Sequence, residues 1–143
     1  MSEKWDRRYL ELAKYIAQWS KDPSTQTGAV IVSPDNFVVG MGYNGFPRGV
    51  EDTGYRLNER ELKYKLIVHC ERNAIISAQR NLTGSTLYTW PFMSCAPCAG
   101  MVIQAGIKRC VSYVNLNPRW QADFELTKVM FQEAGVTLNL YEK

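Results

Sequence analysis

His69, Cys70 and Glu71 stand side by side, and His69 is the only histidine among the 143 residues. Twenty-four positions past Glu71 comes Cys95-Ala96-Pro97-Cys98. One imidazole, one carboxylate and two closely spaced thiols are what a catalytic zinc site needs. Zinc takes nitrogen and sulfur ligands in a tetrahedron, and a catalytic ion uses three protein ligands and leaves the fourth position to water. His69, Cys95 and Cys98 supply the three. Glu71 stays off the metal and moves protons. Such an ion lowers the pKa of a bound water to about 7. A carboxylate beside it can take that proton and deliver it again as a general acid.

Other uses of these residues remain open at this level. A Cys-x-x-Cys pair also fits a redox motif or a structural zinc knuckle, and a lone histidine also fits a purely structural role. A closed structural site, however, needs a fourth ligand, and the chain has no second histidine. Cys70 adjoins His69 and points elsewhere. Cys110 lies in an apolar strand pattern and reads as core. The better reading is an open zinc position.

The elements that must carry these residues follow from the pattern of apolar positions. Residues 3–20 form an amphipathic helix, with Trp5, Tyr9, Leu12, Ala13 and Ile16 on one stripe. Pro23 stops it. Strands are expected over 27–33 and 37–42, joined by the turn Ser33-Pro34-Asp35-Asn36 into an antiparallel hairpin. Residues 50–66 are polar, without clear periodicity, and have room for a short helix. A helix runs from about His69 to Arg80, with Ala74, Ile75 and Ala78 inward, and Gly84 breaks it. Thr86–Trp90 is a third strand. Pro97 suits the first turn of a helix reaching Ala105 and capped by Gly106. A strand from Arg109 to Val114, a helix from Arg119 to Ala134 and a last strand over Val136–Leu140 complete the chain.

This order predicts an α/β fold, a three-layer α/β/α sandwich with a five-stranded mixed sheet and helices on both faces, as one domain over residues 1–143. Ligands of such sheets gather at the carboxyl ends of the strands. Both metal-binding segments also sit where a helix begins. There the partial positive charge favours thiolates, and Cys98 lies one turn beyond Cys95.

The length fits one domain able to bury roughly 70% of its unfolded surface. Four cysteines show no disulfide framework, the N-terminus has no apolar signal core, and no apolar run approaches a membrane span. The expectation is a cytoplasmic protein with no membrane partner. A net charge of +3 is too small to argue for nucleic acid and is compatible with a small anionic ligand.

His-x-Glu followed by Pro-Cys-x-x-Cys is the known signature of zinc nucleobase deaminases. Here Ser94 precedes the first cysteine and the proline lies inside the pair. The chain resembles the cytidine deaminase superfamily, and within it the deoxycytidylate (dCMP) deaminase branch. Carrying that resemblance are Ser20-Lys21-Asp22-Pro23, Gly28-Ala29, the loop Gly42-Tyr43-Asn44-Gly45-Phe46-Pro47-Arg48-Gly49, His69 to Ile75, Cys95 to Cys98, Gln104 to Lys108 and Ala134 to Val136.

The resemblance implies hydrolytic deamination of dCMP to dUMP with release of ammonia. An activated water attacks C4, while Glu71 protonates N3 and then the leaving amine. It gives Asn44 to the sugar and Ser20 and Lys21 to the 5′-phosphate. Without it, Lys21 is equally a solvated lysine and Asn44 a turn residue. It also implies activation by dCTP and inhibition by dTTP, with Mg²⁺ on the effector triphosphate, and homo-hexamers. The effector loop would be Asn44, Gly45, Phe46, Arg48 and Gly49, with Asp52 beside it. One Zn²⁺ per subunit is expected, and Cys70 is read as a small packing residue. Two further readings stay open: a cytidine or adenosine deaminase acting within RNA or DNA, and a zinc module without catalysis.

Overall fold

The computed structural model describes residues 2–143. Helix α1 (Glu3–Ala17) starts where the Ser2 hydroxyl accepts the Trp5 N–H, an N-cap that satisfies an otherwise orphaned donor. It ends at Ala17, three residues short of the expectation. The hairpin follows as β1 (Gly28–Val32) and β2 (Val38–Tyr43). The polar 50–66 stretch folds into two short helices, α2 (Gly54–Asn58) and α3 (Arg60–Leu66). Next come α4 (Cys70–Ala78), β3 (Thr86–Trp90), α5 (Ala96–Gln104), β4 (Arg109–Tyr113), α6 (Pro118–Ala134) and β5 (Thr137–Tyr141).

Helix α4 is shorter than its apolar pattern promised. Gln79 turns left-handed at φ 48° and ends the helix, so Gly84 does not terminate it. Gly106, at φ 86°, makes the expected turn after α5, and Gly135, at φ 78°, makes a like turn after α6. Each takes a left-handed conformation that costs a glycine little.

The sheet order is β2-β1-β3-β4-β5. The β3–β4 and β4–β5 pairs are parallel, whereas β1 pairs antiparallel with both neighbours. The connection from β2 through α4 to β3 therefore passes over β1, and only β1 runs against the rest. Helix α1 covers one face, packing Leu10, Ala13 and Ile16 on Val30, Val32, Tyr88 and Val111. The other face packs Ala29, Ile31, Leu87 and Cys110 against Ala74 of α4, Val102 of α5 and Phe131 of α6. This is the expected three-layer sandwich. Two glycines let the layers approach: a Cβ on Gly28 would meet the Ala13 carbonyl, and one on Gly42 would meet the α4 backbone at Cys70 and Ala74. Among the described residues no helix is long and apolar enough to cross a membrane.

Candidate active site and metal centre

The carboxyl ends of β2, β3 and β4 and the amino end of β1 open onto one side of the sheet. A cavity of about 740 Å³ lies there, lined by Asp22, Ser24, Thr25 and Thr27 before β1, Asn44 after β2, and Phe92, Met93 and Cys95 after β3. His69, Cys70 and Glu71 enter from the start of α4, Arg60, Lys63 and Tyr64 from α3, and Arg119, Trp120, Asp123 and Phe124 from α6.

His69 Nδ1 lies 3.2 Å from Cys98 Sγ and 3.4 Å from Cys95 Sγ, and the three ligand atoms all fall within 4.8 Å of one another. Ligands at about 2.0–2.3 Å from a tetrahedral zinc stand roughly 3.5 Å apart, so the three converge closely enough to share one ion. The two thiols are not equivalent. Cys95 is held well below the ordinary thiol range, first because Cys98 donates to it and also because His69 does, against the opposing effect of burial. Cys98 is pushed up as that donor, and burial adds to this. His69 is raised, chiefly by its hydrogen bond with Cys95. Thiolate character at a helix start is the donor chemistry zinc selects. Cys70 and Cys110 differ: burial drives both thiols up, which makes them inert packing residues.

The surroundings also fit a charged centre. The buried Nε of Arg72 has no hydrogen-bond partner among the described residues. Glu71 is buried beside His69 and lines the cavity, and its Oε1 accepts the Cys70 thiol at 3.2 Å. Among the described residues it makes no ion pair.

All of these ligands, and Glu71 with them, fall inside a segment shared with known proteins. The family described as the cytidine and deoxycytidylate deaminase zinc-binding region matches residues 3–114. The chain belongs to this deaminase family. An uncharacterized deaminase in the luxG 3′ region of Aliivibrio fischeri is 40% identical over 139 residues, 95% of this chain and 92% of that protein. The deoxycytidylate deaminase of Homo sapiens is 35% identical over 145 residues, 96% of this chain and 79% of that protein. The dCMP deaminase of the cyanophage S-TIM5, solved in apo form, superimposes with a TM-score of 0.78 at 22% identity, covering 99% of this chain and 100% of the other. That last likeness is one of fold, and it matches the five-stranded mixed sheet with its helices.

The remaining residues expected at the deaminase site are distributed unevenly. Asn44 is buried and lines the cavity, but its side chain is engaged: Oδ1 accepts from Thr27 N at 2.8 Å, and Nδ2 donates to Thr25 O at 2.8 Å and Asp22 Oδ2 at 3.2 Å. Ser20 lies beneath it, donating to Asn44 O at 2.8 Å, and does not line the cavity. Lys21 points to solvent and pairs with Asp52 at 2.9 Å, also outside the cavity. Gly45, Phe46 and Arg48 line a second hollow of about 450 Å³, with Tyr43, Val68 and Ile76. Gly49 and Asp52 are exposed and do not line it.

Sequence reasoning missed the cations that do line the main cavity. Arg60 Nε and Arg119 Nη2 both donate to Tyr64 Oη, at 3.1 and 3.2 Å, and neither pairs with a carboxylate among the described residues. Arg119 had one legible signal: it follows Asn117-Pro118 at the carboxyl end of β4, where such sheets bind ligands. Phe92, which stacks at 5.8 Å from both Trp120 and Phe124, gives the cavity an aromatic wall.

Proposed function

We propose that this chain is a zinc-dependent dCMP deaminase, converting dCMP and water to dUMP and ammonia. The observation that carries the proposal is Glu71, buried and in no ion pair among the described residues, beside three converging ligand side chains and lining a cavity of nucleotide size. The deoxycytidylate deaminases at about one-third identity support the choice of substrate.

His69, Cys95 and Cys98 hold the ion. When bound, zinc acts as a Lewis acid that lowers the pKa of a water to about 7. Glu71 would take one proton from the water that adds to C4 and give it to N3 of the cytosine; it would then take the second from the resulting C4 hydroxyl and give it to the amine, which leaves as ammonia. The aromatic wall of Phe92, Trp120 and Phe124 supplies apolar contact for the base. Arg60 and Arg119 supply paired guanidiniums for the 5′-phosphate, a geometry suited to bidentate binding. They are better placed for it than Lys21, whose ammonium is engaged by Asp52 outside the cavity. Asn44 keeps its proposed place beside the sugar, held there by Ser20 and Asp22.

Regulation by dCTP and dTTP with Mg²⁺, and assembly into hexamers, belong to the same proposal through the family resemblance. The second hollow, with Gly45, Phe46 and Arg48, is the place for the effector nucleotide. The direct test is to incubate the purified protein with dCMP and follow its conversion to dUMP by absorbance, with and without dCTP. No dUMP under either condition overturns the proposal.

A further inference from the structure

Cys95 occupies the N-cap position of α5 and makes no side-chain cap hydrogen bond. A helix start leaves backbone N–H groups without partners inside the helix, and a side-chain oxygen at the N-cap ordinarily takes one of them. The Cys95 thiol does not supply that bond. Pro97 removes one of the orphaned donors, since proline has no N–H. The Ala96 N–H remains, and the chain satisfies it from another helix: Asp123 Oδ2 of α6 accepts it at 3.1 Å. One turn further along α6, Thr127 Oγ1 donates to Ser94 O at 3.0 Å. Thr127 and Ser94 are both fully or nearly fully buried.

These two bonds grip the peptide units on either side of Cys95. Residues four apart on a helix share a face, so one face of α6 holds the whole Ser94–Ala96 turn. We propose that Asp123 and Thr127 are positioning residues for the metal centre: they fix the backbone that carries Cys95 Sγ, and so its place relative to His69 and Cys98. Outer partners that orient metal ligands typically affect metal affinity about 10–100-fold. The proposal also accounts for Ser94 standing where the common signature has proline. The Ser94 carbonyl is held by Thr127, so the turn does not depend on a proline ring.

The inference rests on the zinc reading above, and its test separates the two. Zinc content and zinc release to a chromophoric chelator are measured for the unsubstituted protein, together with the absorption spectrum of the Co²⁺-substituted form. No stoichiometric zinc in the unsubstituted protein overturns the zinc reading itself. With zinc present, Asp123→Ala and Thr127→Val should each release it at least about tenfold faster and should shift the thiolate-to-cobalt and d–d bands. Asp123→Asn and Thr127→Ser keep the acceptor and the donor, and should stay near the parent. Wild-type release and spectra in both Asp123→Ala and Thr127→Val, even with lowered melting temperatures, would mean that the bonds only tie α6 to α5 and would overturn the proposal. If one of these variants does not fold, the other and its conservative counterpart decide in the same way.

Discussion

Lys63 Nζ stands 3.0 Å from Asp22 Oδ1, and both side chains are almost wholly buried. The same Asp22 accepts from Asn44 Nδ2 through its other oxygen and from the Ser24 N–H at 2.8 Å. The ion pair thus pins α3 to the loop before β1, and through that loop to Asn44 in the cavity. Breaking a buried pair by removing one partner leaves an uncompensated charge. We expect Lys63→Met to cost about 3 kcal/mol in urea unfolding and to raise KM for dCMP more than it lowers kcat. A change near zero would mean that Asp22 is satisfied by its other donors alone.

In the proposed mechanism Glu71 carries the protons, so Glu71→Gln should retain zinc and lose turnover by at least about 100-fold. Zinc content and dUMP formation are measured on the same sample. Loss of the metal in this variant would put Glu71 among the ligands instead.

Arg60 and Arg119 should discriminate nucleotide from nucleoside. A hydrogen bond to a charged group is worth about 1.5–3 kcal/mol, so either change to alanine should lower kcat/KM for dCMP about tenfold or more. The loss on deoxycytidine should be much smaller. Equal losses on both substrates would move the phosphate elsewhere, with Ser20 and Lys21 the next candidates to hold it.

Arg48 lines the second hollow and no part of the first. Arg48→Ala should therefore blunt dTTP inhibition more than it weakens the uninhibited reaction. Initial rates with and without dTTP read this directly. A matching fall in both would make the loop catalytic.

On the opposite face of the sheet, Asp6 is fully enclosed and accepts from Arg109 Nη1 at 2.9 Å, Tyr88 Oη at 2.9 Å and Tyr141 Oη at 2.6 Å. Burial alone would raise its pKa, but Arg109, Tyr141 and Tyr88 together bring it below the usual carboxylate value. A depressed folded pKa means stability that is fully present above the unfolded value of about 3.9 and is lost as the pH falls through the folded one. Asp6→Asn should cost about 3 kcal/mol at pH 7, and the gap between variant and parent should close below pH ~4. Melting curves from pH 7 to 2 test this, and a gap independent of pH would refute it.

Much of this protein is written locally. Residue type and spacing alone single out His69, Glu71, Cys95 and Cys98 as candidates, because a metal would restrict its ligands to a few side chains and both segments open a helix; the fold brings His69, Cys95 and Cys98 together. Strand and helix order likewise follow from apolar periodicity, which depends only on neighbours along the chain. Tertiary structure decided the rest. That β1 runs against all other strands depends on pairing across the sheet, which periodicity does not encode. A loop lysine such as Lys21 and a helical arginine such as Arg119 look alike in sequence. Only packing turns one toward Asp52 and the other, with Arg60 and Tyr64, into the cavity. Asp123 and Thr127 carried no signal at all, since their role exists only where α6 lies against the turn that holds Cys95.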